Sequence, residues 1–361
     1  VESPKKKVFV GLSGGVDSSV SAALLKDAGY EVTGVFIRGW YPDWIPCTWR
    51  EDRRDAMRVC ARLGIPFLTM DLEAEYKRDV VDYLISEYRA GRTPNPDVMC
   101  NKYVKFGGFL KKALQLGADM IATGHYARVE HADDDADFRL LTGADTAKDQ
   151  SYFLWTLNQG ALSQTLFPVG HMTKPEVRAL AERYNLPTAS KPDSQGICFI
   201  GEVDMQEFLG RYIEPKRGNL LDTSGTVIGH HDGAWLYTIG ERRGFTVTAH
   251  GTSDKPRYVV AKDVEANTVT VSEERAGEDG RFSRSEAALT SVNWVSGTAP
   301  TDGRELSVRL RYRGPLVRCA VAEANSEATI VRFDEPQAGV ASGQSAVFYK
   351  KDVCLGGGVI I

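Results

Sequence analysis

The chain begins with an apolar run, Val8-Phe9-Val10-Gly11-Leu12. It passes without a spacer into Ser13-Gly14-Gly15-Val16-Asp17-Ser18-Ser19 and then into a helical pattern. A strand that turns through glycine straight into a helix is the entry to an open α/β sheet, where ligands lie beyond the carboxyl ends of the strands. Two glycines let the backbone approach phosphate oxygens. The helix N-terminus that follows offers free N–H groups and a partial positive charge. Ser13, Ser18 and Ser19 add hydroxyl donors. Asp17 would repel a phosphate unless a cation lay between, which points to Mg²⁺. The loop is neither G-x-x-x-x-G-K-[ST] nor G-x-G-x-x-G. A plain turn with a capping serine explains the glycines but not an aspartate among three serines.

The alternation continues. Strands are expected over 7–12, 31–37, 67–71 and 120–123. Helices are expected over 16–28, from a Thr48/Glu51 capping box to Gly64, over 72–90 up to Gly91, and from a Thr173/Glu176 capping box to about Asn185. After a last helix over 204–212, short strands and glycine turns take over (Gly225, Gly229, Gly233, Gly240, Gly244). From about 278 the chain reads as β alone, with strands at 305–312, 317–323, 328–333, 345–349 and 353–361. The expected architecture is an α/β N-terminal domain with a parallel sheet (1–204), a small mixed central domain (205–277) and a C-terminal β-barrel (278–361). A chain of 361 residues suits two or three such units. The acidic stretch 131–137 reads as a solvated hairpin tip.

With 42% hydrophobic and 25% charged residues, and no apolar segment long enough for a bilayer, a soluble globular chain without a membrane partner is expected. Lysines near the N-terminus lead into a strand and not into a signal peptide. A net charge of −4 counts mildly against a nucleic-acid partner, so local basic patches would have to carry one. Arg309, Arg311 and Arg313 alternate and would share one strand face. Arg318, Lys216-Arg217 and Arg242-Arg243 add charge. Such a patch fits phosphate contacts or, more blandly, a solvated strand face.

Six cysteines form no C-x-x-C pair, which argues against structural zinc and a disulfide scaffold. Cys60, Cys319 and Cys354 lie on expected core faces, and a structural role is favoured for Cys47. Cys100 lies in Thr93-Pro94-Asn95-Pro96-Asp97-Val98-Met99-Cys100-Asn101-Lys102, which two prolines mark as a stiff loop. Lys102 and Lys105 nearby would favour a thiolate. Cys198 lies in a second polar loop, 193–201. At another strand end stands Thr123-Gly124-His125; Gly124 could admit a nucleotide, and His125 could touch ATP, an activated base, or nothing beyond its own loop.

The S-G-G-x-D-S loop resembles that of the N-type ATP pyrophosphatases, which cleave ATP to AMP and pyrophosphate. An enzyme of that kind has a use for two thiols. ATP converts a poor leaving oxygen into a good one, and a persulfide on one cysteine then delivers sulfur. The second thiol can attack that persulfide, releasing hydrosulfide and leaving a disulfide, or attack the activated carbon. The resemblance then widens. N-P-D-x-x-C-N (95–101), A-T-G-H-Y (122–126), K-D-Q-S-Y-F-L (148–154), G-I-C-F-I-G-E (196–202), F-D-E-P (333–336), G-Q-S-A-V-F-Y (343–349) and C-L-G-G-G (354–358) look like the tRNA-specific 2-thiouridylases, which thiolate the wobble uridine. The match spans nearly the whole chain, in order.

The resemblance implies an adenine-nucleotide alpha-hydrolase-like N-terminal domain. Gly11, Leu12, Ser13, Gly14, Gly15, Val16, Asp17 and Ser18 would hold ATP, with Ile37 and Gly124 lining its site. Asn95, Pro96 and Asp97 would meet the target base, Cys100 would be the nucleophile and Cys198 the persulfide carrier. His125, Lys148, Asp149, Gln150, Arg311, Tyr312 and Gln344 would touch tRNA. One departure is the segment 39–49, rich in Trp and Pro where the family is more acidic. The implied partners are tRNA and a persulfide donor, a cysteine desulfurase or relay sulfurtransferase. A bacterial cytoplasmic monomer is expected, and a mature organellar form fits as well. Two other readings compete. A small-molecule ligase of the same superfamily would work without Cys198. A non-catalytic tRNA-binding protein would leave ATP intact.

Overall fold

The computed structural model describes residues 5–44, 49–131, 137–193, 196–201, 203–248, 255–274, 282–300, 306–324 and 328–361. Thr48 and Cys47 lie outside them. Its N-terminal sheet has five parallel strands: β1 (Lys7–Gly11), β2 (Glu31–Arg38), β3 (Phe67–Asp71), β4 (Met120–Ala122) and, at the edge, Thr165–Leu166. The order is β3-β2-β1-β4 and then Thr165–Leu166. β1 is central because it is apolar on both faces; Val8 and Val10 are fully buried and Phe9 nearly so. Phe9, Val35, Ile37 and Met70 pack to one side, against helices from 73–115. Val8, Val10, Leu12 and Phe36 pack to the other, against α1 (Val16–Asp27) and α2 (Trp49–Leu63). The strand order reverses between β1 and β4, and the crevice at such a reversal is where open α/β sheets bind ligands.

The helix expected over 72–90 spans Glu73–Arg89 with a π-helical turn at Lys77–Val81, and stops at Gly91 (φ 72°). The capped helix after Thr173 is Lys174–Arg183, with the Glu176 carboxylate accepting from the Thr173 N–H at 2.7 Å. One expectation is overturned. Residues 93–102 are not a loop throughout: Asn95 caps a helix that starts at Pro96, its side chain accepting from the Val98 N–H at 3.3 Å. Proline at the first helical position has no N–H to leave unpaired, so the second proline starts a helix where it was read as preventing one. This helix runs to Gln115, and its middle, Cys100–Phe109, is π-helical.

The central unit is a five-stranded mixed sheet between Gly218 and Ser272. Beyond it, six antiparallel strands close a barrel: Ser283–Trp294, Thr329–Ala338, Val317–Ala324, Ser307–Arg309, Ser345–Lys350 and Val353–Ile360, with the last pairing back to the first. The longest, Ser283–Trp294, was not anticipated, because its polar residues do not alternate and it is interrupted by Ser291 at φ 53°. The strand expected over 305–312 is confined to Ser307–Arg309, after which the chain turns through Arg313 (φ 59°). The three arginines therefore share no face. A hairpin from the N-terminal part, Ala127–His131 and Phe138–Thr142, also joins the barrel sheet, as Leu140 and Leu141 pair with Cys354 and Val353. Its tip, 132–136, lies outside the described residues.

Barrel and N-terminal domain meet tightly at Thr93. Its N–H donates to the Ser342 carbonyl at 2.8 Å, and its carbonyl accepts from Gln344 Nε2 at 2.9 Å. A Cβ on Gly343 (φ 92°) would lie 2.8 Å from the Thr93 backbone. Gly343→Ala should therefore lower stability by about 1–3 kcal/mol in urea unfolding. An unchanged midpoint would mean that this contact yields.

Candidate active site

The loop after β1 folds as its residues dictate. Gly14 takes φ 76°, and a Cβ there would lie 2.4 Å from the Asp52 carbonyl of α2. Gly124, at the end of β4, abuts the same helix start; its Cβ would stand 2.6 Å from the Ser18 nitrogen. Ser13 and Ser18 hydroxyls lie 3.2 Å apart, and Ser18 Oγ accepts from the Ser13 N–H at the same distance. Gly15 caps α1 without any side-chain bond, so the N–H groups of Val16, Asp17 and Ser18 are left for a ligand. That is an anion cradle, and it fits a nucleotide's phosphates. Leu12 and Ile37 are buried in the sheet beneath it and support it through packing.

Asp17 is not left facing that cradle alone. Both its oxygens accept from Lys174 Nζ, at 2.7 and 2.9 Å, and one also accepts from the Tyr126 hydroxyl at 2.8 Å. Lys174 continues to Asp193 at 2.9 Å, which Lys148 and Arg178 also meet at 2.5 and 2.8 Å. Burial would raise the Asp193 pKa, but hydrogen bonds from Lys148 and Lys174 outweigh it and hold the group at about 2. Asp17, where the sequence pointed to Mg²⁺, is paired with the Lys174 ammonium. Lys174 lies 157 residues away in the chain, and no spacing signal could have found it.

Cys100 and Cys198 come together, their sulfurs 3.5 Å apart and unbonded. Cys100 is fully buried at the start of the π-helical stretch. Cys198 is half-buried in a turn closed by two hydrogen bonds between Ile197 and Gly201, at 2.9 and 2.8 Å. Gly196, Phe199 and Gly201 all take positive φ there. The turn is held from two sides: its Cys198 N–H donates to Asp97 Oδ1 at 3.1 Å, and its Cys198 carbonyl accepts from the Tyr76 hydroxyl at 2.5 Å. The thiols differ in acidity. Burial, then the neighbouring sulfur, pushes Cys100 far up. The hydrogen bond from Cys100 and the charge of Lys105 bring Cys198 down to about 7 against its burial. Asp97 is raised by burial, against the Cys198 N–H and Lys105. Lys102, by contrast, lies over the Tyr103 ring, 4.9 Å from its centroid.

The residues expected to touch tRNA divide. His125 is buried between Phe106 and Phe167, each 5.8 Å away between ring centroids. Its nitrogens meet Thr123 Oγ1 at 2.6 Å and Lys105 Nζ at 3.4 Å, and burial drives its pKa well down. Its side chain is buried, as is that of Asp149, which borders the cleft beside Lys148. The Asp149 carboxylate is 5% exposed and accepts from Gly143 N, Ser151 N, Ser151 Oγ and Arg309 Nη1 at 3.0–3.1 Å. Gln150 bonds the Tyr126 backbone through Oε1 at 2.9 Å. Lys148, Tyr312 and Arg313 line an open cleft of about 520 Å³ between the two domains. Tyr312 stacks 4.5 Å from Phe153 with Arg313 over its other side, and Arg311 is exposed beside it. Gln344 holds Thr93, two residues before Asn95.

Residues 6–202 match the family described as tRNA methyl transferase HUP domain, 206–273 its PRC-barrel domain, and 284–360 the aminomethyltransferase beta-barrel domain. Among curated proteins, the tRNA-specific 2-thiouridylase MnmA of Proteus mirabilis is 47% identical, covering 99% of this chain and 98% of its own. That of Escherichia coli O139:H28 is 48% identical over 98% and 96%. A solved U34-tRNA thiolase from Methanococcus maripaludis overlaps 57% of this chain and 63% of its own at 17% identity and a TM-score of 0.35, too loosely to carry an argument.

If Asp149 holds the two domains together, Asp149→Ala strands the buried Arg309 guanidinium. Urea unfolding should then show a loss of about 3–5 kcal/mol. A loss below about 1 kcal/mol would return Asp149 to a surface role.

Proposed function

The chain belongs to the tRNA-specific 2-thiouridylase family, and we propose that it replaces the C2 oxygen of the tRNA wobble uridine with sulfur, consuming ATP. The observation that carries this reading is the pair of unbonded thiols 3.5 Å apart, in a chain that also carries a phosphate cradle. ATP supplies the adenylyl group that makes the uracil oxygen a leaving group. The α1 N-terminus, with Gly14, Gly15, Ser13 and Ser18, holds its phosphates. Mg²⁺ enters with the nucleotide. Asp17 is the loop carboxylate it can meet, in competition with Lys174, and among the described residues no cluster of three or more His, Cys, Asp or Glu could hold a metal by itself.

A flipped uridine leaves its stack and reaches the N-terminus of the Pro96–Gln115 helix, between Asn95, Pro96 and Asp97. A donor persulfide, R–S–SH, gives its outer sulfur to the Cys198 thiolate; the donor S–S bond breaks and R–S⁻ departs. The Cys198 persulfide then attacks C2, and the oxygen leaves with the adenylyl group. Cys100 attacks Cys198 Sγ, and the S–S electrons stay on the substrate sulfur as C2=S forms. Alternatively, Cys100 attacks the persulfide first and frees hydrosulfide. Both routes end in a Cys100–Cys198 disulfide, which an external dithiol reopens. The cleft at Lys148, Tyr312 and Arg313 receives tRNA phosphates or bases, with Arg311 beside it. We place the catalytic domain at 1–204, the central domain at 205–277 and the barrel at 278–361, in a monomer of the bacterial cytoplasm.

Nucleoside mass spectrometry on unmodified tRNA incubated with the protein, Mg-ATP and a persulfide donor tests the reading. A sulfur gain at the wobble uridine that vanishes without ATP is expected; no gain with any thiol donor would refute it. Cys100→Ser and Cys198→Ser should each abolish the gain, and full thiolation by either sinks the two-thiol route. Asp17→Ala should raise KM for Mg-ATP by about tenfold or more. Unchanged ATP kinetics would remove Asp17 from metal binding.

A further inference from the structure

Lys105 is an ammonium beside the thiol pair, and the sulfur-transfer steps above give it no part. Its location depends on an unusual backbone. In an α-helix, residues five apart point about 140° from one another. Across the π-helical stretch Cys100–Phe109, hydrogen bonds run five residues along, so Lys105 comes round beneath Cys100. From there it hydrogen-bonds Cys198 and faces Cys100 and Asp97. A second contact fixes its head: His125 Nε2, at 3.4 Å. An ammonium has donors and no lone pair, so Nε2 must be the acceptor. The ring proton is then on Nδ1 and is donated to Thr123 Oγ1, 2.6 Å away. Protonating His125 would set two cations side by side, and its burial between Phe106 and Phe167 opposes that too.

We propose that Lys105, held against a His125 whose ring Thr123 fixes, is the catalytic cation of the thiol pair and stabilises the sulfur anion formed at Cys198. This role rests on the sulfur-transfer reading above. Among the described residues, the groups facing Cys198 are Cys100, Lys105 and Asp97 from one helix, Tyr76 from the helix opposite and, through Lys105, His125; Lys105 is the one cation in that set. During sulfur acceptance, the Cys198 thiolate forms the new S–S bond, R–S⁻ leaves with the electron pair of the old one and takes a proton from water, and Lys105 keeps its proton. The ammonium also offsets the charge of the persulfide anion that results. Burial tends to deprotonate Lys105, but the nearby Cys198 thiolate and Asp97 act the other way and raise its pKa. His125 is a positioning residue in this scheme.

The test needs neither tRNA nor ATP. The full reduced chain is treated with limiting iodoacetamide across pH, and the Cys100 and Cys198 peptides are quantified by mass spectrometry. In the wild-type chain Cys198 should be labelled at lower pH than Cys100. Lys105→Met should shift the Cys198 midpoint upward and slow labelling at pH 7 by about tenfold. Lys105→Arg should restore most of the rate, and His125→Leu should give a smaller upward shift. An unshifted midpoint in a folded Lys105→Met chain overturns the proposal, as does preferential labelling of Cys100 in the wild type. The wild-type comparison decides even if Lys105→Met does not fold. A chain that shows the shift yet fails to thiolate tRNA removes the proposed function and leaves this assignment in place.

Discussion

Two sulfur atoms 98 residues apart in sequence are held in contact without being bonded, and most of the N-terminal domain is arranged around that contact. Each thiol is fixed by backbone and not by its own side chain. The Asn95 cap and Pro96 set where the Cys100 helix starts. The glycines at 196 and 201 let the Cys198 turn close on itself. Asp97 and Tyr76 then clasp that turn by its backbone N–H and carbonyl. A pair held this way can form and lose a bond with small rotations about Cα–Cβ, since a disulfide needs about 2.05 Å between sulfurs and the backbone need hardly move.

Local features were readable in the sequence and distant ones were not. The loop after β1 was legible because strand, glycines and helix start are neighbours. The two reactive cysteines stood out because their surroundings did not fit a core strand or helix face. Misreadings came where one residue has two uses. Two prolines in four positions suggested a loop, yet the second opens a helix. Arginines at 309, 311 and 313 suggested a stripe, yet Arg309 turns inward to Asp149 at 3.0 Å and the strand ends there. His125 and Asp149 sit in motifs that resemblance tied to tRNA, and their buried side chains also hold neighbouring residues. Lys174 and Tyr76 had no signal at all, since their partners are more than 100 residues away.

Thr93 joins all three parts of the molecule. The barrel holds its backbone through Ser342 and Gln344, and the central unit meets its hydroxyl through Thr238 Oγ1 at 3.0 Å. Three residues later the Cys100 helix begins. Both smaller units are therefore anchored a few residues from the start of the Cys100 helix.

The hairpin Ala127–Thr142 gives the topology a cost in time. Its strand Phe138–Thr142 lies in the N-terminal part of the chain, yet the partners of Leu140 and Leu141, Cys354 and Val353, belong to a barrel strand far along the sequence. The hairpin must therefore keep an unpaired edge at Leu140 and Leu141 until the barrel strands form. Long-range closure of that kind slows folding and leaves the edge open to wrong partners meanwhile.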